Sequence, residues 1–328
     1  VRPTPGPSGP GSGGGEPAIR VRDLGRRFGP VAAVDRLSFD VAPGELFGIV
    51  GPDGAGKTTT VRMLAGVLRP TSGEVLVAGI SVVRDPEGVK RRIAYMAQRF
   101  GLYEDLTVRE NLDFYADLYG VPRDARPERY ERLFTFSGLA PFSSRLAGRL
   151  SGGMKQKLSL SCALVHEPEI LLLDEPTFGV DPISRRDLWL ILHEMVARGT
   201  TILVTTAYMD EAERCDRVAL LHEGRLLALA PPRELQEELE GRILEVRVEP
   251  SRRAADVLRV QQGVRRAAPY GDVVHVSVPG GMAAWPALRE ALEREGLRPA
   301  DAAAVEPSLE DVFLARTAKS APPEVADG

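Results

Sequence analysis

The sequence predicts an α/β protein: a mostly parallel sheet covered by helices, with N-terminal antiparallel strands, a helical insertion and a small C-terminal α+β domain. Three observations carry this. From "LFGIVG" to about residue 235, short apolar runs alternate with helix-periodic stretches, the order that builds a parallel sheet with helical crossovers. Between residues 99 and 150 the strand signal disappears. Near Gly241 the texture changes to short segments of strict alternation, such as "ILEVRVE" and "VVHVSV", which mark half-buried strands.

Each element follows from its local pattern. Residues 1–16, "VRPTPGPSGPGSGGGE", are Pro, Gly and Ser with almost nothing to bury, and are expected to be a disordered leader. "IRVRDL" and "LSFDV" alternate as strands, "APGE" turns the chain, and "LFGIVG" is an apolar strand. In the insertion, "DLTVRENLDFYADLYG" and "RPERYERLFTFSGL" read as amphipathic helices. In "DLWLILHEMVA", Leu188, Ile191, Leu192, Met195 and Val196 share one helical face. "ILVTT", Ile202 to Thr206, is a buried strand that breaks into the acidic helix start "MDEA". The first domain is therefore placed at 17–240, with its helical part at about 99–150. A second, at 241–316, has the order β, α, β, α, and Trp285, Leu288 and Leu292 share a face of its second helix. "VEPSLEDVFLA" closes it as an amphipathic helix, and 317–328 is expected to be a disordered tail.

Bulk properties set limits. With 328 residues and 43% hydrophobic content, the chain can hold one large and one small core. It is expected to be globular and soluble. No stretch approaches the roughly 20 apolar residues of a membrane span, so a membrane role is expected to run through a partner. A formal net charge of −4 gives no electrostatic reason to bind nucleic acid. Cys162 and Cys215 read as buried free thiols, consistent with a reducing cytoplasm. His166, His193, His222 and His275 read as residues of solvated faces.

The chemistry concentrates in "GIVGPDGAGKTTT", which follows a strand and precedes a helix, as a P-loop requires. The loop Gly51, Pro52, Asp53, Gly54, Ala55 and Gly56 can turn its backbone N–H groups, all but the missing one of Pro52, around phosphate oxygens, and the helix N-terminus beyond, with Thr59, adds its positive end. Lys57 is expected to reach the β and γ phosphates, and the Thr58 hydroxyl to bind Mg²⁺. "EILLLDEPTFG" supplies carboxylates at a second strand end. Asp174 can hold a Mg²⁺-bound water, while Glu175 can orient and deprotonate the attacking water. "LSGGMKQKLSLSCALV" opens a helix with Ser151, Gly152 and Gly153, a second anion site. One γ-phosphate site is already furnished, so the second implies another chain's nucleotide.

"GPDGAGKTT", "LSGGMKQ", "LLLDEP" and "GVDP", in this order and spacing over about residues 18–235, resemble the nucleotide-binding domain of an ABC transporter. The resemblance implies a head-to-tail pair of cassettes, homodimer or heterodimer, with ATP and Mg²⁺ at the interface. Each nucleotide would lie between one chain's P-loop and the other's "SGG". It further implies that Phe28 stacks on adenine, a contact worth roughly 1–3 kcal/mol per base. By the same pattern Gln98 senses Mg²⁺ and the attacking water, and Asp181 crosses the interface. "VEPSLEDVFLA" resembles the end of the accessory domain in ATP-binding subunits of ABC-2 type exporters, including those for drug efflux. A separate permease is then expected, docking near "RFGLYEDLTVREN", with the chain peripheral on the cytoplasmic face of the membrane.

The family usually ends the strand at Thr206 with a histidine that contacts the γ-phosphate and helps hold water; here the position is Ala207. A methyl group neither donates nor shares a proton. Loss of one preorganised donor slows chemistry by roughly 10²–10³-fold, about 3–4 kcal/mol. Three explanations stand: a slow ATPase in which Glu175 suffices, pairing with a histidine-bearing cassette, or use of ATP mainly as a clamp. Tyr208 follows directly, but its phenol is expected to point elsewhere. An ABC protein acting on nucleic acid or ribosomes is the remaining alternative; this chain has one uninterrupted cassette, without the second cassette or long coiled coils of such relatives.

Overall fold

The computed structural model describes residues 16–98, 101–239 and 243–320. Residues 1–15 of the expected leader and 321–328 of the expected tail lie outside the described residues.

Strands β1 (Ile19–Phe28) and β2 (Val31–Val41) form a hairpin. Strand β3 (Leu46–Val50), buried at every residue, leads through the glycine loop into α1 (Lys57–Leu64). Strands β4 (Ser72–Val77) and β5 (Ile80–Ser81) complete an antiparallel sheet of order β2-β1-β4-β5. Helix α2 (Pro86–Arg92) then returns the chain to β6 (Ile93–Met96).

The insertion contributes α3 (Val108–Leu118) and α4 (Arg126–Ser137), which pack with α5 (Gly152–Leu164) around Leu112, Tyr130, Leu158 and Cys162. A reciprocal cap between Thr107 and Glu110 fixes where α3 starts. The chain continues through β7 (Ile170–Asp174), α6 (Pro182–Ala197), β8 (Thr201–Thr206), α7 (Met209–Ala212), β9 (Arg217–His222), β10 (Arg225–Ala230) and α8 (Pro232–Glu237).

The main sheet has the order β10-β9-β3-β8-β7-β6, parallel throughout except for β10 against β9. Alternate residues of its strands enter different cores. Phe47, Ile49, Leu172 and Leu203 face one layer, while Leu46, Leu171, Leu173 and Ile202 face the other with α6. Burial on both faces explains why these strands read as unbroken apolar runs. It also aligns the carboxyl ends of β3, β8 and β7, where open α/β sheets bind ligands.

Beyond the cassette, β11 (Ile243–Arg247), α9 (Ser251–Arg259), β12 (Arg266–Tyr270), β13 (Val273–Ser277), α10 (Trp285–Arg294) and β14 (Asp301–Ala304) enclose a separate core. The sheet is antiparallel with order β12-β13-β11-β14, a ferredoxin-like arrangement. It has two strands beyond the expected β, α, β, α pattern. The last helix, α11 (Leu309–Ser320), leaves this sheet. Leu309 and Val312 join the cassette core that contains Cys215 and Leu235, and Phe313 meets the His222 ring edge-on at 5.7 Å. His275 Nδ1 lies 3.3 Å from Asp311 Oδ1, which ties the helix back to the accessory sheet.

The solvated-face reading holds for His193 alone. His166 stacks on Tyr119 at 3.9 Å, and His222 and His275 are partly buried against α11, because tertiary contacts cover faces that strand and helix periodicity leaves open. Cys162 and Cys215 are free and buried, and burial pushes both thiols up. Among the described residues no helix is long and apolar enough to cross a membrane.

Candidate active site

The loop from Gly51 to Gly56 joins β3 to α1 as a close-fitting cradle. Gly54 and Gly56 have φ of 80° and 98°, a region that favours glycine. A Cβ at Gly51 would lie 2.2 Å from the Leu221 carbonyl oxygen, and one at Gly56 would lie 2.5 Å from that of Ala33. Backbone therefore packs where side chains cannot. A cavity of about 400 Å³ opens above the loop, lined by Asp53, Gly54, Ala55, Gly56, Lys57, Thr58 and Thr59, with Phe28, Gln98 and Glu175 closing its sides. Phe28, at the end of β1, is half-exposed, and the Arg26 guanidinium lies 4.6 Å from its ring centre.

The charged groups converge on this floor. Lys57 is 4% exposed; its Nζ donates to the carbonyls of Gly51 at 2.8 Å and Pro52 at 3.1 Å, and pairs with Glu175 Oε1 at 3.1 Å. Glu175 Oε2 accepts from Gln98 Nε2 at 3.0 Å. Asp174 Oδ1 accepts from the Thr58 hydroxyl at 3.0 Å and the Thr205 hydroxyl at 2.9 Å, and Oδ2 from Tyr95 at 3.4 Å. Burial pushes the Tyr95 phenol up, and the nearby Asp174 charge adds to that. Glu175 has φ of 51°, and its amide donates to both the carbonyl and the hydroxyl of Thr205. The P-loop thus meets the end of β7 directly, and β8 braces that end through Thr205, a participant with no motif signal in the sequence.

Thr58 at the cavity wall and Asp174 hydrogen-bonded directly behind it offer hard oxygen donors side by side, the donor set that suits Mg²⁺ alongside phosphate oxygens. The residues present therefore fit the ion.

The second expected anion site lies apart. Ser151, Gly152, Gly153 and Asp181 do not line the cavity. Ser151 caps α5 by accepting from the Met154 amide at 3.3 Å, and Asp181 caps α6 by accepting from the Ser184 amide at 3.0 Å. That amide, first among the causes, holds the Asp181 carboxyl below its ordinary range. A Cβ at Gly153 would lie 2.1 Å from Ser184 Oγ, so the two helix starts abut. Ser151, Gly152 and Asp181 are exposed, a surface that another molecule can reach.

At the end of β8, Ala207 borders a smaller cavity of about 220 Å³ with Asp53, Glu175, Thr177, Phe178, Thr206 and Tyr208. Tyr208 borders the same space, with the Arg185 guanidinium 4.4 Å from its ring centre.

A glycine cradle and a buried lysine after β3, with paired carboxylates at the end of β7 in the same parallel sheet, define a P-loop nucleotide-binding protein. The chain belongs to the ABC transporter family of ATP-binding proteins, whose cassettes hydrolyse ATP to drive transport. The family profile, described as ABC transporter, matches residues 34–178. The probable multidrug ABC transporter ATP-binding protein YbhF of Escherichia coli (strain K12) is 51% identical over 226 residues, 68% of this chain and 39% of YbhF. The chain thus spans about two fifths of that relative's length. The daunorubicin resistance ATP-binding protein DrrA2 of Streptomyces coeruleorubidus is 37% identical over 306 residues, 92% of this chain and 95% of DrrA2. A solved ATP-binding subunit of an ABC transporter superposes with a TM-score of 0.62 at 32% identity, covering 67% of this chain and 92% of that one.

Proposed function

We propose that this chain is the ATP-hydrolysing subunit of an ABC exporter of the drug-efflux type. It closes with a second cassette around two ATP molecules and moves a separate membrane permease from the cytoplasmic face. The names of YbhF and DrrA2, multidrug and daunorubicin resistance, support the exporter reading. The observation that carries the catalytic part is the convergence of Lys57, Thr58, Gln98 and Glu175 on one cavity, with Asp174 hydrogen-bonded behind Thr58.

In this reading Phe28 stacks on adenine and the loop amides from Asp53 to Thr59 hold the phosphates. Lys57 pairs with the terminal phosphates, and Thr58 and Asp174 hold Mg²⁺, Asp174 through a water. Bound there, Mg²⁺ offsets charge on the phosphate oxygens. Gln98 and Glu175 face the attacking water. The resting contacts suggest how binding arms the base: both Glu175 oxygens are occupied, one by Lys57 and one by Gln98. Phosphates compete for the Lys57 ammonium, which frees Oε1 to take a proton from water. Ser151, Gly152 and Gly153 of a second cassette complete the site, and Asp181 crosses between them.

Ala207 favours a second reading, a slow cassette that works chiefly as an ATP-dependent clamp or beside a histidine-bearing partner. Light scattering separates both from an unrelated role. The Glu175→Gln variant should form a dimer with ATP and Mg²⁺ and remain monomeric with ADP. A variant that stays monomeric with ATP would refute closure around nucleotide.

A further inference from the structure

Behind Ala207 lies a polar cluster that the motifs leave unassigned. Glu211, in the short helix α7, is 1% exposed. A carboxylate this deep persists only where partners offset its desolvation. Its partners come from separate parts of the active site. Oε2 accepts from the Thr177 hydroxyl at 2.8 Å and the Thr206 hydroxyl at 2.7 Å. Oε1 faces Arg185 Nε at 3.3 Å, an ion pair whose N–H is not aligned as a hydrogen bond. Arg185 in turn lies 4.4 Å from the Tyr208 ring centre, and the Tyr208 amide donates to the Thr206 hydroxyl at 3.0 Å.

The positions of these partners give the cluster its meaning. Thr177 is two residues beyond Glu175, Thr206 immediately precedes Ala207, and Arg185 is in the first turns of α6, whose cap is Asp181. One buried carboxylate therefore clamps the loop carrying the reacting carboxylate, the end of β8 and the helix start at the exposed edge. Glu175 itself has a left-handed backbone, a conformation that persists only when its surroundings over-determine it. The Thr205 contacts fix its amide, and Thr177 fixes the chain just beyond it. With a methyl group at 207 and a cavity of about 220 Å³ beside it, no side chain from that position braces the loop.

We infer that Glu211 is a positioning residue for ATP hydrolysis, holding the Glu175 loop against the end of β8 and linking it to α6. The inference rests on the ATPase reading above. It places no proton transfer on Glu211. The loosely aligned Arg185 contact is where movement of the α6 start reaches the loop.

Steady-state phosphate release by the full chain, with nucleotide binding and melting temperature measured alongside, tests this. Glu211→Gln keeps volume and an acceptor for both hydroxyls, but sets an amide against Arg185. It should lower kcat about tenfold, within the roughly 10²-fold that a misplacement near 1 Å costs, while KM and ATP affinity stay within about twofold. Thr177→Val, which removes one hydroxyl at constant shape, should lower kcat by a smaller factor and guards against a folding failure of the first variant. A lower melting temperature with unchanged kcat in both variants overturns the inference and leaves the ATPase reading intact. If the parent chain does not exceed Glu175→Gln, the same ratio is expected in an Ala207→His background, and its absence there overturns the inference. If neither background turns over, the ATPase reading fails and the inference falls with it.

Discussion

Strands β7 and β8 run side by side in parallel, Asp174 opposite Thr205, yet their carboxyl ends carry different chemistry. β7 ends in two carboxylates whose oxygens meet Thr58, Thr205, Tyr95, Lys57 and Gln98. β8 ends in two hydroxyls that do not line the phosphate cavity, Thr205 bonded to Asp174 and Thr206 to Glu211, followed by a methyl group. In the proposed mechanism β7 supplies reacting groups and β8 supplies support. A strand end in an α/β sheet can thus serve catalysis without presenting a reactive side chain.

The largest effect expected is on the β7 side. Glu175→Gln should lower turnover by roughly 10²–10⁴-fold, the contribution of a positioned base, with ATP still bound; phosphate release with a binding titration checks it. Preserved turnover would move the base elsewhere. Phe28→Ala should weaken ATP binding by roughly 1–3 kcal/mol with little change in kcat, read by calorimetry against a triphosphate lacking the base. If both ligands weaken equally, Phe28 is a structural ring only.

On the β8 side, Thr205→Val removes partners of Asp174 and of the Glu175 amide. It should destabilise the fold by about 1–3 kcal/mol, the cost of leaving a buried polar group unmet, measured by denaturant unfolding. An unchanged midpoint would show that these contacts do not brace the site.

The smallest effect is remote from both strands. Asp311 hydrogen bonding, ahead of its charge and that of Glu245, raises His275 above its ordinary 6.5 despite burial. His275's contribution is therefore complete below 6.5 and lost as pH rises through its raised value. Asp311 is lowered from 3.8 by His275 and the Ser308 contacts, which outweigh its burial, so its contribution is lost as pH falls through that lowered value. Melting temperature should decline slightly as pH rises from below 6.5 through that raised value, and His275→Gln should flatten that limb. An identical profile in the variant would remove His275 from the attachment of α11.

The central strands and the phosphate loop were legible because double-sided burial writes continuous apolar runs, and because a phosphate cradle needs glycine, lysine and threonine at fixed spacing. Strands β12, "RAAPY", and β14, "DAAA", were not. They lack β-branched alternation, and their pairing with β13 and β11 imposes the strand conformation. The Glu211 cluster was also hidden. Its partners are up to 34 positions away along the chain, and an acidic residue at a helix start ordinarily reads as a dipole partner.

In the proposed mechanism the β7 carboxylate drives hydrolysis while β8 only holds it in place. Phosphate release by the unaltered chain, beside Ala207→His and with Glu175→Gln as the baseline, tests that claim most directly. Turnover well above the baseline is expected in the unaltered chain, with a gain from histidine smaller than the roughly 10²–10³-fold of a full catalytic donor. Turnover at the baseline, restored by histidine, would contradict that claim and mark the chain as a clamp or as the partner of a histidine-bearing cassette.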